Sequence, residues 1–245
     1  MTTTALITPA TGSRRGLPPA PRQPIVYPES DGKPMADNTR QFDTIVMIQG
    51  GLAALFADRP DVFVAGDLLW YPVEGKPQIR AAPDAMVVFG RPPGYRGSYI
   101  QHEEDHIAPQ VAFEALSPSN TSAEMRKKLG FYDRHGVEEY YEYHPDRGTL
   151  QGWLRREDRL EPIAQMEGWV SPLLGIRFGL EGTDLALYHP DGQRFETFVE
   201  QARRAEAERQ RAEAERQRAE AERHRAERLA ERLRQLGVDP DALEE

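Results

Sequence analysis

Two carboxylates stand where a folded chain seldom leaves a charge unattended. Pro83 and Asp84 open one strand-like run, and Glu114 sits in the middle of another, among Val111, Phe113, Ala115 and Leu116. Burying an isolated carboxylate is costly, so Glu114 must be exposed at an edge, paired, or bound to a metal. The plainest reading is a paired glutamate on a solvated face. Taken with Lys128, the SPSNT turn at 117–121 and the helix that follows, the two acids suggest a shared site.

A rival motif lies close by. His102, Glu103, Glu104, Asp105 and His106 satisfy H-E-x-x-H, the zinc-protease pattern. That chemistry needs a helix turning both histidines inward. Here Gly94 and Gly97 precede the motif, Pro109 follows it, and both x positions are acidic. A solvated loop is the better reading, and a zinc metallopeptidase ranks behind the carboxylate site. The chain has no cysteine, which excludes disulfides, thiolate catalysis and Cys-ligated zinc. It also lacks a P-loop, a G-x-G-x-x-G and a credible Ser, His and Asp set. His135 reads as a partner for a helix C-terminus, and His224 belongs to a repeat.

The elements that would position the acids can be read from periodicity. From Asn38, apolar residues Phe42, Ile45, Val46, Leu52 and Phe56 recur at helical spacing, with Gly50 and Gly51 as a weak point. Strand-like runs follow at Val62 to Ala65, Leu68 to Val73, Asp84 to Phe89 and Gln110 to Leu116. Thr121 and Glu124 fit a capping box, Met125, Leu129 and Tyr132 share a helix face, and Gly136 suits a helix end. Glu139 to His144 and Thr149 to Leu154, joined by Pro145 to Gly148, read as a hairpin, with further strands and loops up to Tyr188. The order implies an α+β fold with a mixed central sheet flanked by helices.

The tail repeats AEAERQR, AEAERQR and AEAERHR from Ala205 to Arg225, a charged helix. One frame puts Ala205, Ala212, Ala219, Ala226 and Leu233 at a, with Glu208, Glu215, Glu222, Leu229 and Leu236 at d. Only its last two heptads are apolar, so a solvated spacer competes with a coiled coil that would join copies or another protein partner. The expected organisation is a Pro- and Thr-rich disordered tether at 1–24, a domain at 25–197, the charged helix at 198–236 and an acidic tail at 237–245. Net charge is −9, which disfavours nonspecific binding to a phosphate backbone and leaves such a role to a local basic patch or a metal. No stretch is long and apolar enough for a membrane span and no signal segment is evident, so the expected location is the cytoplasm.

The run VAFEALSPSNTSAEMRKKLGFYDRHGVEEYYEYHP, preceded by APDAMVVFG, resembles the Uma-two family of restriction-endonuclease-like proteins, within the PD-(D/E)XK nuclease superfamily. The resemblance spans roughly Tyr27 to Arg155, including YPESDGKPMADNT and VFVAGDLLWYP. It implies a nuclease core in which Asp84 matches the motif aspartate and Glu114 the second acid. With a backbone carbonyl such as that of Ala115, they would offer hard oxygen ligands for Mg2+ or Mn2+. The superfamily's lysine two residues after the second acid is here Leu116. Lys128, on the following helix, matches the family's lysine and would position water or phosphate. Lys127, turned about 100° away, is not expected to enter the same site. His144 also departs from the family, which favours aspartate there, and reads as peripheral; Asp67 and Glu29 read as surface acids. The implied function is a metal-dependent endonuclease acting on DNA phosphodiesters, the alternative a catalytically silent scaffold assembling partners through the tail helix.

Overall fold

The computed structural model describes residues 25–237, so the expected tether at 1–24 and the tail beyond Gly237 lie outside the described residues. Helix α1, Thr39–Leu55, starts where the side chain of Asn38 accepts the N–H of Gln41. Its buried face is Gln41, Ile45, Ile48 and Leu52, with Met47 and Gly51 beside them. Phe42, expected in the core, is exposed, and the polar Gln41 one position earlier points inward instead. Gly51 is no weak point: a Cβ there would meet the ring of Phe195 at 2.0 Å, so the helix can pack at that spot only with a bare backbone.

Strands β1 (Val62–Ala65), β3 (Ala85–Phe89), β5 (Val111–Ala115), β6 (Glu139–His144), β7 (Thr149–Arg156) and β8 (Arg159–Pro162) form one sheet in the order β1-β3-β5-β6-β7-β8. All pairings are antiparallel except β5 with β6. Parallel neighbours need a crossover, and helix α2, Ser122–Arg134, supplies it. Its capping box is formed as the sequence suggests: Thr121 accepts from the N–H of Glu124, whose carboxylate accepts from the N–H of Thr121. Gly136 closes the helix with φ +89°.

The expected strand Leu68 to Val73 shrinks to β2, Trp70–Tyr71, which pairs in parallel with the two-residue β4, Tyr99–Ile100. A hairpin of β9 (Arg177–Glu181) and β10 (Asp184–Tyr188) makes a third, small sheet. Alternation along the central strands then sorts the core into two sides. On one side, Ile48 and Leu52 of α1 pack with Val87, Phe113 and Tyr141 and with Phe178 and Leu187 of the small hairpin. On the other, Met86, Ala112 and Tyr140 pack with Tyr132 of α2 and with Trp70 and Tyr99. The sheet therefore carries a helix on each face. Helix α3, Phe198–Gln235, has no buried residue and is capped by Thr197 and Glu200. Its 38 residues make it about 57 Å long. Among the described residues no helix is long and apolar enough to cross a membrane.

Candidate active site

Strand register brings the acids together. Ala85 of β3 lies opposite Phe113 of β5, so one step further Asp84 faces Glu114. Both project to the α2 side with Met86 and Ala112, because alternate residues share a face. The parallel partner β6 places Glu142 opposite Glu114, which puts a third carboxylate in the row. Asp84, Glu114 and Glu142 are 8%, 2% and 6% exposed, so water screens none of them well.

Helix α2 lays its inner face over this row. Lys128 and Tyr132, one helical turn apart, both reach Glu114: the ammonium Nζ lies 2.6 Å from Oε2, and the Tyr132 hydroxyl donates to Oε1 at 2.5 Å. The backbone N–H of Ala115 donates to Asp84 Oδ2 at 2.6 Å, and the Tyr140 hydroxyl donates to Glu142 Oε1 at 2.6 Å. From the other side of the sheet, Gln41 Nε2 donates to the Ala115 carbonyl at 2.7 Å. The SPSNT turn is closed by Asn120, whose side chain accepts the Ser117 N–H, and by Asp37, which accepts the hydroxyls of Ser117 and Ser119.

The charges are unbalanced. Burial, and then the neighbouring Glu114, push the Asp84 carboxyl well above the usual aspartate range against the pull of Lys128 and the Ala115 N–H. Burial likewise raises Glu142, with the Tyr140 hydroxyl opposing it. Lys128 is raised despite burial, because Glu114 and Asp84 favour its ammonium form. Tyr132 is driven far up by burial and then by Glu114, which keeps its phenol a neutral donor. One ammonium thus faces three carboxyl groups.

A cleft of about 470 Å³ opens at the Asp84 end of this row, lined by Asp84, Asp67, Gln41, Arg80, Lys127, Lys128 and residues between Asp31 and Asp37, while Glu114 and Glu142 are not part of its lining. The structure brings Asp84, Glu114 and Lys128 together. It also corrects the placement of Lys127, which is exposed yet lines the same cleft as Lys128, since the cleft wraps the outer edge of α2. Asp67 is exposed but lines the cleft too, whereas Glu29 lies beside Gly97. Sequence reasoning missed Gln41, Tyr140 and Glu142. The signal for Gln41 was there, since 41, 45, 48 and 52 form one helical face with a polar member.

The histidines lie elsewhere. His102 is on a three-residue 3-10 turn, Gln101–Glu103, and Asp105 and His106 have φ of +54° and +59°. The helix that the H-E-x-x-H pattern requires is therefore missing, and Glu104 is held by Arg91 and Arg96 at 2.7 and 2.6 Å. His144 is buried at the end of β6, where its Nδ1 has no hydrogen-bond partner, so it is not peripheral. His135, at the end of α2, is lowered by burial and then by Arg134, and packs as an aromatic ring on Phe131 and Trp70.

Among the described residues no three His, Cys, Asp or Glu side chains gather into a ready metal cage. Asp84, just before β3, and Glu114 of β5, with the Ala115 carbonyl, nonetheless fit a hard divalent cation in donor type. Burial first and the neighbouring Glu114 second raise Asp84, and such an ion would offset both. Both Glu114 oxygens already accept hydrogen bonds, so a cation would have to share them with Lys128 or Tyr132.

Residues 34–188 match the model of a family, Uma2, described as "Putative restriction endonuclease". Among solved structures, one similar chain is a "putative nuclease belonging to DUF820" from Anabaena variabilis ATCC 29413. It is 16% identical, with a TM-score of 0.43 over 62% of this chain and 87% of that chain. No curated protein matches.

Proposed function

The chain belongs to the Uma2 family, and from that premise we propose that it is a divalent-metal-dependent nuclease hydrolysing DNA phosphodiester bonds at Asp84, Glu114 and Lys128. The observation that carries this reading is the ion pair of Lys128 with Glu114 at 2.6 Å, bridging fourteen residues and set beside a second buried acid. A bound Mg2+ or Mn2+ would supply an acidified water and offset charge on the phosphate.

The protein's own groups have separable tasks. Asp84 and Glu114, with the Ala115 carbonyl, would hold the cation. The Ala115 N–H fixes the Asp84 carboxylate, and Gln41 fixes the Ala115 carbonyl, so the donors are set before substrate arrives. Tyr132 keeps one Glu114 oxygen in place from a fully buried position. Lys128, held as an ammonium, is placed to orient the attacking water or to contact a phosphate oxygen.

Cleavage of plasmid and oligonucleotide DNA in Mg2+ or Mn2+ tests the proposal. Activity should be lost in chelator and in Glu114→Gln, which keeps the shape but turns one of two accepting oxygens into a donor, so the variant is assayed well below its own melting temperature. Wild-type protein inert toward DNA in both metals would reject it in favour of the catalytically silent scaffold.

A further inference from the structure

The chain contains four lysines, Lys33, Lys76, Lys127 and Lys128, and three of them line the cleft above Asp84. Lys128 is engaged by Glu114 beneath the cleft. Lys33, Lys127 and Arg80 stand on three different walls: the segment before α1, the outer edge of α2, and the loop between β2 and β3. Among the described residues none of these three pairs with a carboxylate within 4.0 Å, whereas Arg91, Arg96, Arg155 and Arg194 elsewhere are all paired.

The wall that carries Lys33 is tied down only at its ends. On one side the Tyr71 hydroxyl donates to the Pro28 carbonyl at 2.6 Å and the Gly75 N–H donates to the Tyr27 hydroxyl at 2.7 Å. On the other, Asp37 accepts from Ser117 and Ser119. Between them the hydrogen bonds are local, from the Gly32 N–H to the Ser30 hydroxyl and from the Lys33 N–H to Asp31. Acids share the cleft as well. Glu124 is held by the Thr121 N–H and hydroxyl and Asp37 by the two serines, contacts that favour the ionised form of both, and Asp31 accepts the Lys33 N–H; Asp67 is raised by burial and by Asp31.

We infer that Lys33, Arg80 and Lys127 form a backbone clamp, each taking a phosphate of the DNA strand on either side of the phosphodiester presented to Asp84 and Glu114. The inference rests on the nuclease reading and extends it. The clamp reads charge and spacing, not bases, so it holds DNA of any sequence. Its three cations, with Lys128, stand among five cleft acids, Asp31, Asp37, Asp67, Asp84 and Glu124, so in a chain of net charge −9 the clamp works together with a divalent cation to draw in a polyanion.

The test is binding of fluorescein-labelled duplex and single-stranded oligonucleotides to the full chain in Ca2+, followed by anisotropy across a salt series. Each of Lys33→Ala, Arg80→Ala and Lys127→Ala should weaken binding to all sequences alike. Each should also reduce the slope of log K against log salt by about 0.9 on duplex or about 0.7 on single strands. In cleavage, KM should rise by a larger factor than kcat falls. Lys76→Ala, an exposed change outside the cleft, is the control and should match wild type. Wild-type cleavage combined with unaltered slope and KM in all three variants would overturn the clamp and leave the nuclease reading standing. Wild type that neither binds nor cleaves DNA would overturn both.

Discussion

Charged residues dominate two parts of this molecule, the cleft and α3, and opposite physics holds them in place. Along α3 the pairs Arg209–Glu206, Arg216–Glu220 and Arg223–Glu227 span 2.8 to 3.4 Å with side chains mostly in water. Screened by water, each contributes little, and the helix forms because alanine and glutamate favour it. At the cleft Lys128 lies 2.6 Å from Glu114 beneath it, and Glu114 is 2% exposed and has no water to fall back on. Removing a partner there strands a buried charge. Density of charge therefore says little about where a site is; burial with too few partners says a great deal.

The largest effect expected from that contrast is at Lys128. Lys128→Ala should cut the cleavage step by about 10²-fold or more, as loss of a positioned charge or proton-transfer group does. It should also lower the melting temperature, because Glu114 keeps only Tyr132 as a donor. Lys127→Ala, adjacent in sequence, should act mainly on KM. Equal kcat for wild type and Lys128→Ala, measured well below the melting temperature, would remove Lys128 from the chemistry.

Asp84 sharpens the contrast in the opposite direction. Its folded-state carboxyl titrates above the ordinary value of 3.8 because of burial and Glu114, so the folded form holds the proton more tightly than the unfolded one. Stability from this group is then fully present below the ordinary value and is lost as pH rises through the folded value. In chelator, Asp84→Asn should be more stable than wild type at pH 8, with the advantage shrinking toward pH 4. A variant less stable than wild type at pH 8 would show that the carboxylate is favoured where it stands.

The smallest effect belongs to the helix. Ending the chain near Phe198 should barely move the melting temperature, since α3 buries no residue and Phe198 itself is 72% exposed. A truncated chain that is largely unfolded by circular dichroism would show that α3 supports the fold. Replacing Leu229, Leu233 and Leu236 by glutamine should abolish any assembly driven by the tail. Unchanged mass in light scattering, with wild type above one chain, would exclude that zipper.

Much of this was legible in the amino-acid sequence where local rules decide. Asn38, the Thr121 and Glu124 box and Gly136 mark helix ends through backbone hydrogen bonds made within a few residues. The apolar runs of β3 and β5 were equally local. Illegible were features set by distant chain. Phe42 looks like a core residue until the Ala115 carbonyl claims the inward position for Gln41, 74 residues away. Glu142 shows as a third acid only when parallel pairing sets it beside Glu114. Lys127 was assigned to water on helical angle alone, and the cleft that takes it in is built partly by residues 31–37. Gly51 looked weak for the same reason, with Phe195 far along the chain.

The β5-α2-β6 crossover has a consequence for how the molecule assembles in time. Glu114 meets Lys128 and Tyr132 across only 14 and 18 residues, whereas the Ala115 amide reaches Asp84 across 31 and its carbonyl reaches Gln41 across 74. Closing a loop of 74 residues instead of 14 costs about 1.5 kcal/mol more in chain entropy. The glutamate, lysine and tyrosine should therefore come together in one contiguous unit early in folding, with Asp84 and then α1 docking onto it. Pulse-labelled hydrogen exchange during refolding should accordingly find the amides of α2 protected before those of α1, and the reverse order would show that the far loops close first.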